Sequence, residues 1–246
     1  MFNDKSSCNL IQIFPLGDSA VVVQLGEQID LKTHKRVAVL SKYLDKHPFS
    51  GMIEYIPAFT TVTVLYNPLE VYNQTLDLSQ SPYELVYQKI KQLVANLEDE
   101  IEIQSKTVEI PVCYGGDFGP DLVYVAEHNN LTPEEVVKIH SDNDYLVYMI
   151  GFAPGFPYLG GMSKQIATPR RPSPRLSIPI GSIGIAGEQT GAYPIETPGG
   201  WQIIGRTPLD LFRPNTTPPS LLQAGDIVRF RPISHQEYQA YRRKTE

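Results

Sequence analysis

The chain has 246 residues, of which 41% are hydrophobic, 20% charged and 10% aromatic. This composition is typical of a folded protein with one large domain or two small ones, and it argues against disorder. No apolar run approaches the roughly 20 residues that cross a bilayer. The polar amino end also lacks the basic and apolar stretches of a secretory signal. We therefore expect a cytoplasmic protein with no membrane association.

The charge is distributed unevenly along the chain. Residues 1–150 contain 10 Lys or Arg and 21 Asp or Glu, whereas residues 151–246 contain 11 and 6. A basic carboxyl-terminal part is suited to an anionic ligand or an acidic partner. Its arginines are scattered among Pro and Gly without a recognised reader motif, which argues against a nucleic-acid partner.

The cysteines and histidines give no sign of a metal or disulfide framework. Cys8 and Cys113 are far apart in sequence, so we expect two free thiols. The five histidines show no spacing typical of zinc ligands. We expect no metal site.

Residues 1–105 predict a small ferredoxin-like α+β domain, with the element order βαββαβ. Its first helix is ended by Pro48, and its second begins at Ser81 with the capping-box pattern Ser-Pro-x-Glu. The apolar positions of the second helix continue as far as Leu97. The predicted elements are a strand at 18–25, a helix at 30–47, strands at 52–58 and 61–66, the helix from Ser81, and a strand at 101–112.

Residues 106–246 predict a second domain that is rich in short strands. Two helices, at 121–129 and from Thr132, precede a strand at 144–152. The next 60 positions, 151–210, hold 11 of the 18 Gly and 9 of the 21 Pro, which excludes long helices. Short strands joined by Gly and Pro turns indicate a sandwich or a barrel. They are predicted at 176–180, 183–186, 201–204 and 227–230.

The segment GFAPGFPYLGG, residues 151–161, is the densest motif. Its prolines fix φ and its glycines allow positive φ, so we expect a preshaped loop that presents aromatic side chains. It forms either a barrel corner whose aromatics fill the core or the wall of a binding site, and we favour the wall. The candidate wall residues are Phe152, Pro154, Gly155, Phe156 and Tyr158.

Two further segments carry candidate binding groups. TPRRPSPR, residues 168–175, holds three Arg on a chain stiffened by proline. This pattern is equally typical of a site that binds carboxylate or phosphate oxygens and of a solvated surface arm with salt bridges. Arg170 and Arg175 are the candidates for anion binding there. Residues 181–208 place polar side chains among glycine turns, although Trp201 is expected to be core. These polar candidates are Gln189, Thr190, Tyr193 and Arg206.

Common catalytic and nucleotide motifs are absent from the sequence. Neither a P-loop nor GxGxxG occurs, and no serine lies in GxSxG. No residue is therefore assigned as catalytic, and a covalent mechanism has no support.

Four segments nevertheless resemble one family closely: GFAPGFPYLGG, TPRRPSPR, IPIGSIGIAGEQTGAYPIETPGGW and IIGRTPLDLF. They are similar to the family of 5-oxoprolinase B subunits, also known as sporulation-kinase inhibitors. That family is related to the first subunit of allophanate hydrolase and to the carboxyltransferase domain of urea carboxylase. The resemblance implies that the carboxyl-terminal domain is a cyclophilin-like β-barrel.

The resemblance also implies a function. The expected activity is the ATP-dependent opening of 5-oxo-L-proline to L-glutamate by a cyclic amide hydrolase that is active only as a complex with subunits C and A. ATP would arrive with Mg²⁺. Arg170, Arg175 and Arg206, with amides near Gly187, would then hold anionic groups, while Gln189, Thr190 and Tyr193 orient the substrate amide. The alternative is a protein inhibitor that binds a sporulation sensor histidine kinase and blocks its autophosphorylation.

Overall fold

The computed structural model describes residues 11–74, 79–95 and 105–245. The predictions made for Cys8, Leu97 and residues 101–104 lie outside these ranges. Contacts between residues divide the chain into two units, 1–103 and 104–246, and each has its own apolar core. Among the described helices, none combines the length and apolar composition needed to cross a bilayer.

The amino-terminal unit is a four-stranded antiparallel sheet with helices on one face. Its strands lie in the order β1-β2-β4-β3. Alternate residues of β2 and β4 are buried against helices α1 and α3, as period-two burial requires. The elements are β1 Gln12–Pro15, β2 Ala20–Gln24, α1 Leu31–Lys46, β3 Met52–Pro57, β4 Thr61–Tyr66, α2 Pro68–Tyr72 and α3 Pro82–Ala95.

Both predicted helix starts in this unit are observed. Asp30 accepts a hydrogen bond from the Thr33 N–H and so caps α1. Ser81 and Glu84 exchange the reciprocal bonds of a capping box at the start of α3. The prediction of the last strand, at 101–112, is wrong in its placement, because the observed strand β5, Thr107–Tyr114, belongs to the barrel. The edge of the ferredoxin-like sheet is instead occupied by β1, which pairs with β2.

The carboxyl-terminal unit is built on a closed seven-stranded barrel. Around it the strands follow the order β10-β7-β6-β13-β5-β12-β9, and β13 with β5 is the parallel pair. Strands β8 and β11 form a separate ribbon. After β5, the elements are α4 Leu122–His128, α5 Pro133–Ser141, β6 Asp144–Ile150, β7 Pro157–Gly160, β8 Arg175–Ile178, β9 Ser182–Ala186, β10 Gln189–Ala192, β11 Thr197–Gly199, β12 Gln202–Arg206, β13 Ile227–Pro232 and α6 His235–Thr245.

These units confirm the predicted α+β fold class with a barrel. The barrel core contains Tyr145, Ile185 and Phe230, from three different strands. A second, smaller apolar cluster lies around Phe156 and Trp201. Trp201 is buried, as the sequence predicts. This smaller cluster forms the floor of the candidate site.

Candidate functional site

A cavity of about 310 Å³ lies between the loop that follows β6 and the β8–β11 ribbon. Its lining is mainly aromatic and prolyl, with a single guanidinium group. The lining residues are Phe152, Phe156, Tyr158, Arg170, Pro174, Tyr193, Pro198, Gly199, Gly200 and Trp201. Five of the sequence candidates, Phe152, Phe156, Tyr158, Arg170 and Tyr193, therefore share one cavity.

The wall loop is held in a strained conformation at Phe152. This residue has φ +68°, and the N–H of Ala153 donates to the Gly151 carbonyl across it, which gives a γ-turn with positive φ. The side chain is 66% exposed although it is aromatic. Positive φ on a bulky non-glycine residue costs about 1–3 kcal/mol and is concentrated at functional sites. The turn thus holds an exposed ring at the mouth of the cavity.

The floor of the cavity is a group of rings in edge-to-face contact. The Phe156 ring centroid lies 5.6 Å from that of Trp201 and 5.3 Å from that of Tyr193, at nearly perpendicular angles. A Cβ at Gly191 would lie 2.9 Å from Phe156 Cζ and 3.1 Å from Trp201 Cζ3. Glycine is therefore needed at 191 to let these rings approach the strand. The result is a rigid apolar surface.

The arginine segment forms another wall, and it is anchored by a buried carboxylate. Asp121 is 5% exposed. Arg175 donates to it through both terminal nitrogens at 2.8 Å, and Arg171 donates at 3.0 Å. The Arg171 backbone N–H also donates to the Gly200 carbonyl at 2.7 Å. Arg175 is thus already paired, and its proposed role in binding an external anion stays a prediction.

Arg170 differs from its two neighbours. It is exposed, it lines the cavity, and no ion pair found within the described ranges includes it. Burial raises the pKa of Tyr193 to about 12, and the nearby positive charge of Arg170 opposes part of that rise. Tyr193 is therefore protonated at neutral pH and is a hydrogen-bond donor beside a cation. Together these groups suit a small planar molecule that carries an anionic group.

The remaining polar candidates lie away from this cavity's lining. Gly187, at the β9–β10 turn with φ +60°, already donates its N–H to the Thr168 carbonyl at 2.7 Å. Arg206 is at the far end of β12 from Trp201, about 16 Å along a strand of five residues. Its guanidinium lies over the Phe118 ring at 5.1 Å. Gln189 is half-buried on β10. Pro154 and Gly155, two of the wall candidates, belong to the same loop as Phe152 and do not line the cavity.

Thr190 takes part in a buried hydrogen-bond chain in the barrel. Its hydroxyl donates to the Gly184 carbonyl at 3.1 Å, so it accepts from His140 Nε2 at 2.9 Å. His140 Nδ1 then accepts from the Tyr114 hydroxyl at 2.8 Å. Burial lowers the pKa of His140 to about 3, consistent with this neutral form. The hydroxyl hydrogen of Thr190 is therefore already donated to a backbone carbonyl inside the protein.

The described part of the chain contains no group of three or more His, Cys, Asp or Glu side chains suited to a metal ion. A lone Cys113 is buried on β5.

Residues 11–222 match the carboxyltransferase domain family, subdomains C and D. The chain is 54% identical to the B subunit of 5-oxoprolinase from Bacillus subtilis, over 95% of this chain and 98% of that protein. It is 43% identical to the protein of the same name from Escherichia coli O157:H7, over 93% and 96%. The chain belongs to the family of 5-oxoprolinase B subunits. The urea amidolyase structure from Kluyveromyces lactis, with a TM-score of 0.74 and 18% identity over 94% of this chain and 15% of that one, shares the fold.

Sequence reasoning missed the residue that organises this family member's arginine segment. Asp121 lies 50 residues before Arg171 in sequence, and an Asp before a helix is usually a cap. It also missed Pro174, Pro198, Gly199 and Gly200 as cavity-lining residues. The excess of Pro and Gly in 151–210 was the available signal, since a rigid wall is built from such residues.

Proposed function

We propose that this chain is the B subunit of an ATP-dependent 5-oxoprolinase and that the cavity binds 5-oxo-L-proline. The observation that carries the proposal is the exposed Arg170 guanidinium at an aromatic cavity. The substrate is a five-membered lactam ring, with apolar methylene groups on one side and the amide on the other, that carries one carboxylate. Arg170 matches the carboxylate, and the rings of Phe156 and Trp201 match the substrate ring.

The lactam is a poor electrophile, and ATP provides the means of activating it. Phosphorylation of the lactam oxygen by ATP makes the ring carbon open to attack by water, which gives glutamate, ADP and phosphate. Such a transfer depends on positioning and on charge neutralisation. In our proposal Arg170 fixes the carboxylate, and the protonated Tyr193 hydroxyl donates a hydrogen bond to the substrate amide carbonyl or its activated form.

We propose that ATP and Mg²⁺ are bound mainly by the partner subunits C and A. The reason is the use of donors in this chain: the Gly187 N–H and the Arg175 guanidinium already have partners. The described residues also present no cluster of three metal-ligating side chains. Complex formation, the need for it in turnover, and a cytoplasmic location stay predictions. The same holds for binding to a sensor histidine kinase.

The test is steady-state turnover by the complex assembled from this chain and its subunits C and A. ADP and glutamate formation should depend on 5-oxoproline, ATP and this chain together. Arg170→Ala should raise the KM for 5-oxoproline about tenfold or more, because a hydrogen-bonded charge contributes about 1.5–3 kcal/mol. The KM of Arg170→Lys should lie between those of the wild type and Arg170→Ala, since lysine keeps the charge and loses the planar guanidinium fork.

The matched control is Arg243→Ala, which removes an exposed arginine from α6. Its KM should equal that of the wild type. If the assembled complex does not consume 5-oxoproline, the proposed function is wrong. If it does and Arg170→Ala has wild-type KM, the function stands and the assigned substrate site is wrong.

A further inference from the structure

We propose that Asp121 is a positioning residue of the substrate site, which holds the arginine segment so that Arg170 faces the cavity. The inference rests on the proposed function of that cavity. Asp121 is not itself among the lining residues. It acts on the site through Arg171, Arg175 and strand β12.

The Asp121 side chain does not cap the helix that it precedes. It directly precedes α4, where an Asp ordinarily accepts a hydrogen bond from the first turn. No such capping bond is made by its side chain. The carboxylate turns instead toward the arginine segment and β12.

Both carboxylate oxygens are fully used. Oδ1 accepts from Arg171 Nη1 at 3.0 Å and from Arg175 Nη2 at 2.8 Å. Oδ2 accepts from Arg175 Nη1 at 2.8 Å and from the Ile203 N–H at 2.7 Å. The Asp121 N–H donates in return to the Ile203 carbonyl at 2.9 Å. A carboxylate paired in this way is not free to act as a general base.

These bonds connect two walls of the cavity. Ile203 belongs to β12, which directly follows the cavity residue Trp201, while Arg171 directly follows Arg170. The arginine segment has three prolines, which lack an N–H, so few backbone bonds hold it. Within 169–175, the segment is also held to this wall by the Arg171 N–H bond to the Gly200 carbonyl, by the Gln202 Nε2 bond to the Pro169 carbonyl at 2.9 Å and by the pairing of Arg175 with Gly199. Asp121 adds three charge-assisted bonds to these anchors, and in the proposal it is this addition that fixes where Arg170 lies relative to the aromatic floor.

The charges support the same arrangement. Three arginines lie within six residues, and an isolated cluster of this kind repels itself. Asp121 pairs with Arg171 and Arg175 and leaves Arg170 to bind an external anion. Without the Asp121 carboxylate, the guanidinium groups of Arg171 and Arg175 would compete with Arg170 for the substrate carboxylate. That competition would displace the arginine segment.

The experiment is a double-mutant cycle on Asp121 and Arg170 in the complex assembled with subunits C and A, with 5-oxoproline as the varied substrate. Asp121→Asn replaces one acceptor oxygen by a donor and keeps the shape. It should raise the KM for 5-oxoproline up to, and not beyond, the roughly tenfold increase expected for Arg170→Ala, because a displaced Arg170 loses at most its whole contribution. Adding Asp121→Asn to Arg170→Ala should change KM no further, because its effect passes through Arg170.

A second variant covers the event that Asp121→Asn does not fold. Arg171→Ala removes one of the four bonds from a side chain that is 35% exposed. It should raise KM by a smaller factor, and that increase should also vanish in the Arg170→Ala background. Asp144→Asn is the matched control, because it breaks an exposed carboxylate–arginine pair on β6 and β13 and should leave KM unchanged.

The outcomes separate the two proposals. A folded Asp121→Asn complex with wild-type KM, or KM effects that multiply in the double variant, would overturn the positioning role and leave the proposed function intact. The same holds if both folded variants lose only thermal stability. If the wild-type complex does not turn over 5-oxoproline, both proposals fail.

Discussion

Two adjacent glycines in the cavity wall differ sharply in the space around them. A Cβ at Gly199 would lie 2.6 Å from Tyr193 Oη and 2.6 Å from Ile178 Cδ1. A Cβ at Gly200 would have Pro174 Cγ, at 3.7 Å, as its nearest neighbour. Neither glycine has a left-handed φ. Gly199→Ala and Gly200→Ala therefore add the same methyl group to one strand end with opposite steric outcomes.

The cost at Gly199 follows from the overlap. Carbon atoms in contact lie about 3.5–4.0 Å apart, so Tyr193 and Ile178 must each move by about 1 Å. Overpacking of this kind costs about 1–3 kcal/mol of the free energy of unfolding. At about 2–4 °C per kcal/mol, the melting temperature should fall by about 2–12 °C. Displacement of the Tyr193 hydroxyl should also raise the KM for 5-oxoproline.

Thermal unfolding followed by circular dichroism measures the first effect, and steady-state kinetics of the assembled complex measure the second. Gly200→Ala should stay within about 1 °C of the wild type, since its methyl group makes only ordinary van der Waals contacts at 3.7–3.8 Å. Equal melting temperatures for Gly199→Ala and Gly200→Ala would refute the packing argument, whether both variants keep the wild-type value or both lose stability equally.

Three other substitutions test separate parts of the structure. Phe152→Gly should unfold in urea with a free energy about 1 kcal/mol higher than that of Phe152→Ala, because φ +68° strains alanine and not glycine; the reverse order would contradict the observed turn. Thr190→Val should lose about 1–3 kcal/mol of stability with unchanged KM for 5-oxoproline, since its hydroxyl bonds inside the barrel; a changed KM would place Thr190 at the substrate. The third concerns pH: the folded pKa of His140 is about 3, below its value of about 6.5 in the unfolded chain, so the unfolded state binds the extra proton. The contribution of His140 to the free energy of unfolding is complete above pH 6.5, and it is lost on acidification at about 1.4 kcal/mol per pH unit. The free energy of unfolding, measured in urea between pH 6 and 5, should therefore depend less on pH in His140→Gln than in the wild type.

Local patterns in the sequence predicted the elements well where local physics decides them. The capping box at Ser81 appears where the pattern places it, and the helix predicted at 30–47 is observed as α1, which Asp30 caps. The edge strand β1, Gln12–Pro15, was missed because it has four residues and its partner is chosen by the sheet. For the same reason the strand at Thr107–Tyr114 joins the barrel, where β13 pairs with it in parallel.

The site shows the same division between local and non-local information. The Gly-Pro pattern of 151–161 predicted a preshaped loop, and residues of that loop line the same cavity as Arg170 of the stiff segment 168–175. The sequence could not show that Asp121 would pair with Arg171 and Arg175, since that contact spans about 50 residues. It also could not show that Arg206 lies a strand's length from the cavity, because that depends on the register of β12.

In the proposed site Arg170 recognises the carboxylate of the substrate, and a comparison of two ligands that differ only in that group measures this recognition. Titration calorimetry on the assembled complex would compare 5-oxoproline with 2-pyrrolidinone, the same lactam without the carboxylate. The wild type should bind 5-oxoproline at least about tenfold more tightly, and Arg170→Ala should bind the two alike. Unchanged preference for 5-oxoproline in Arg170→Ala would contradict the account.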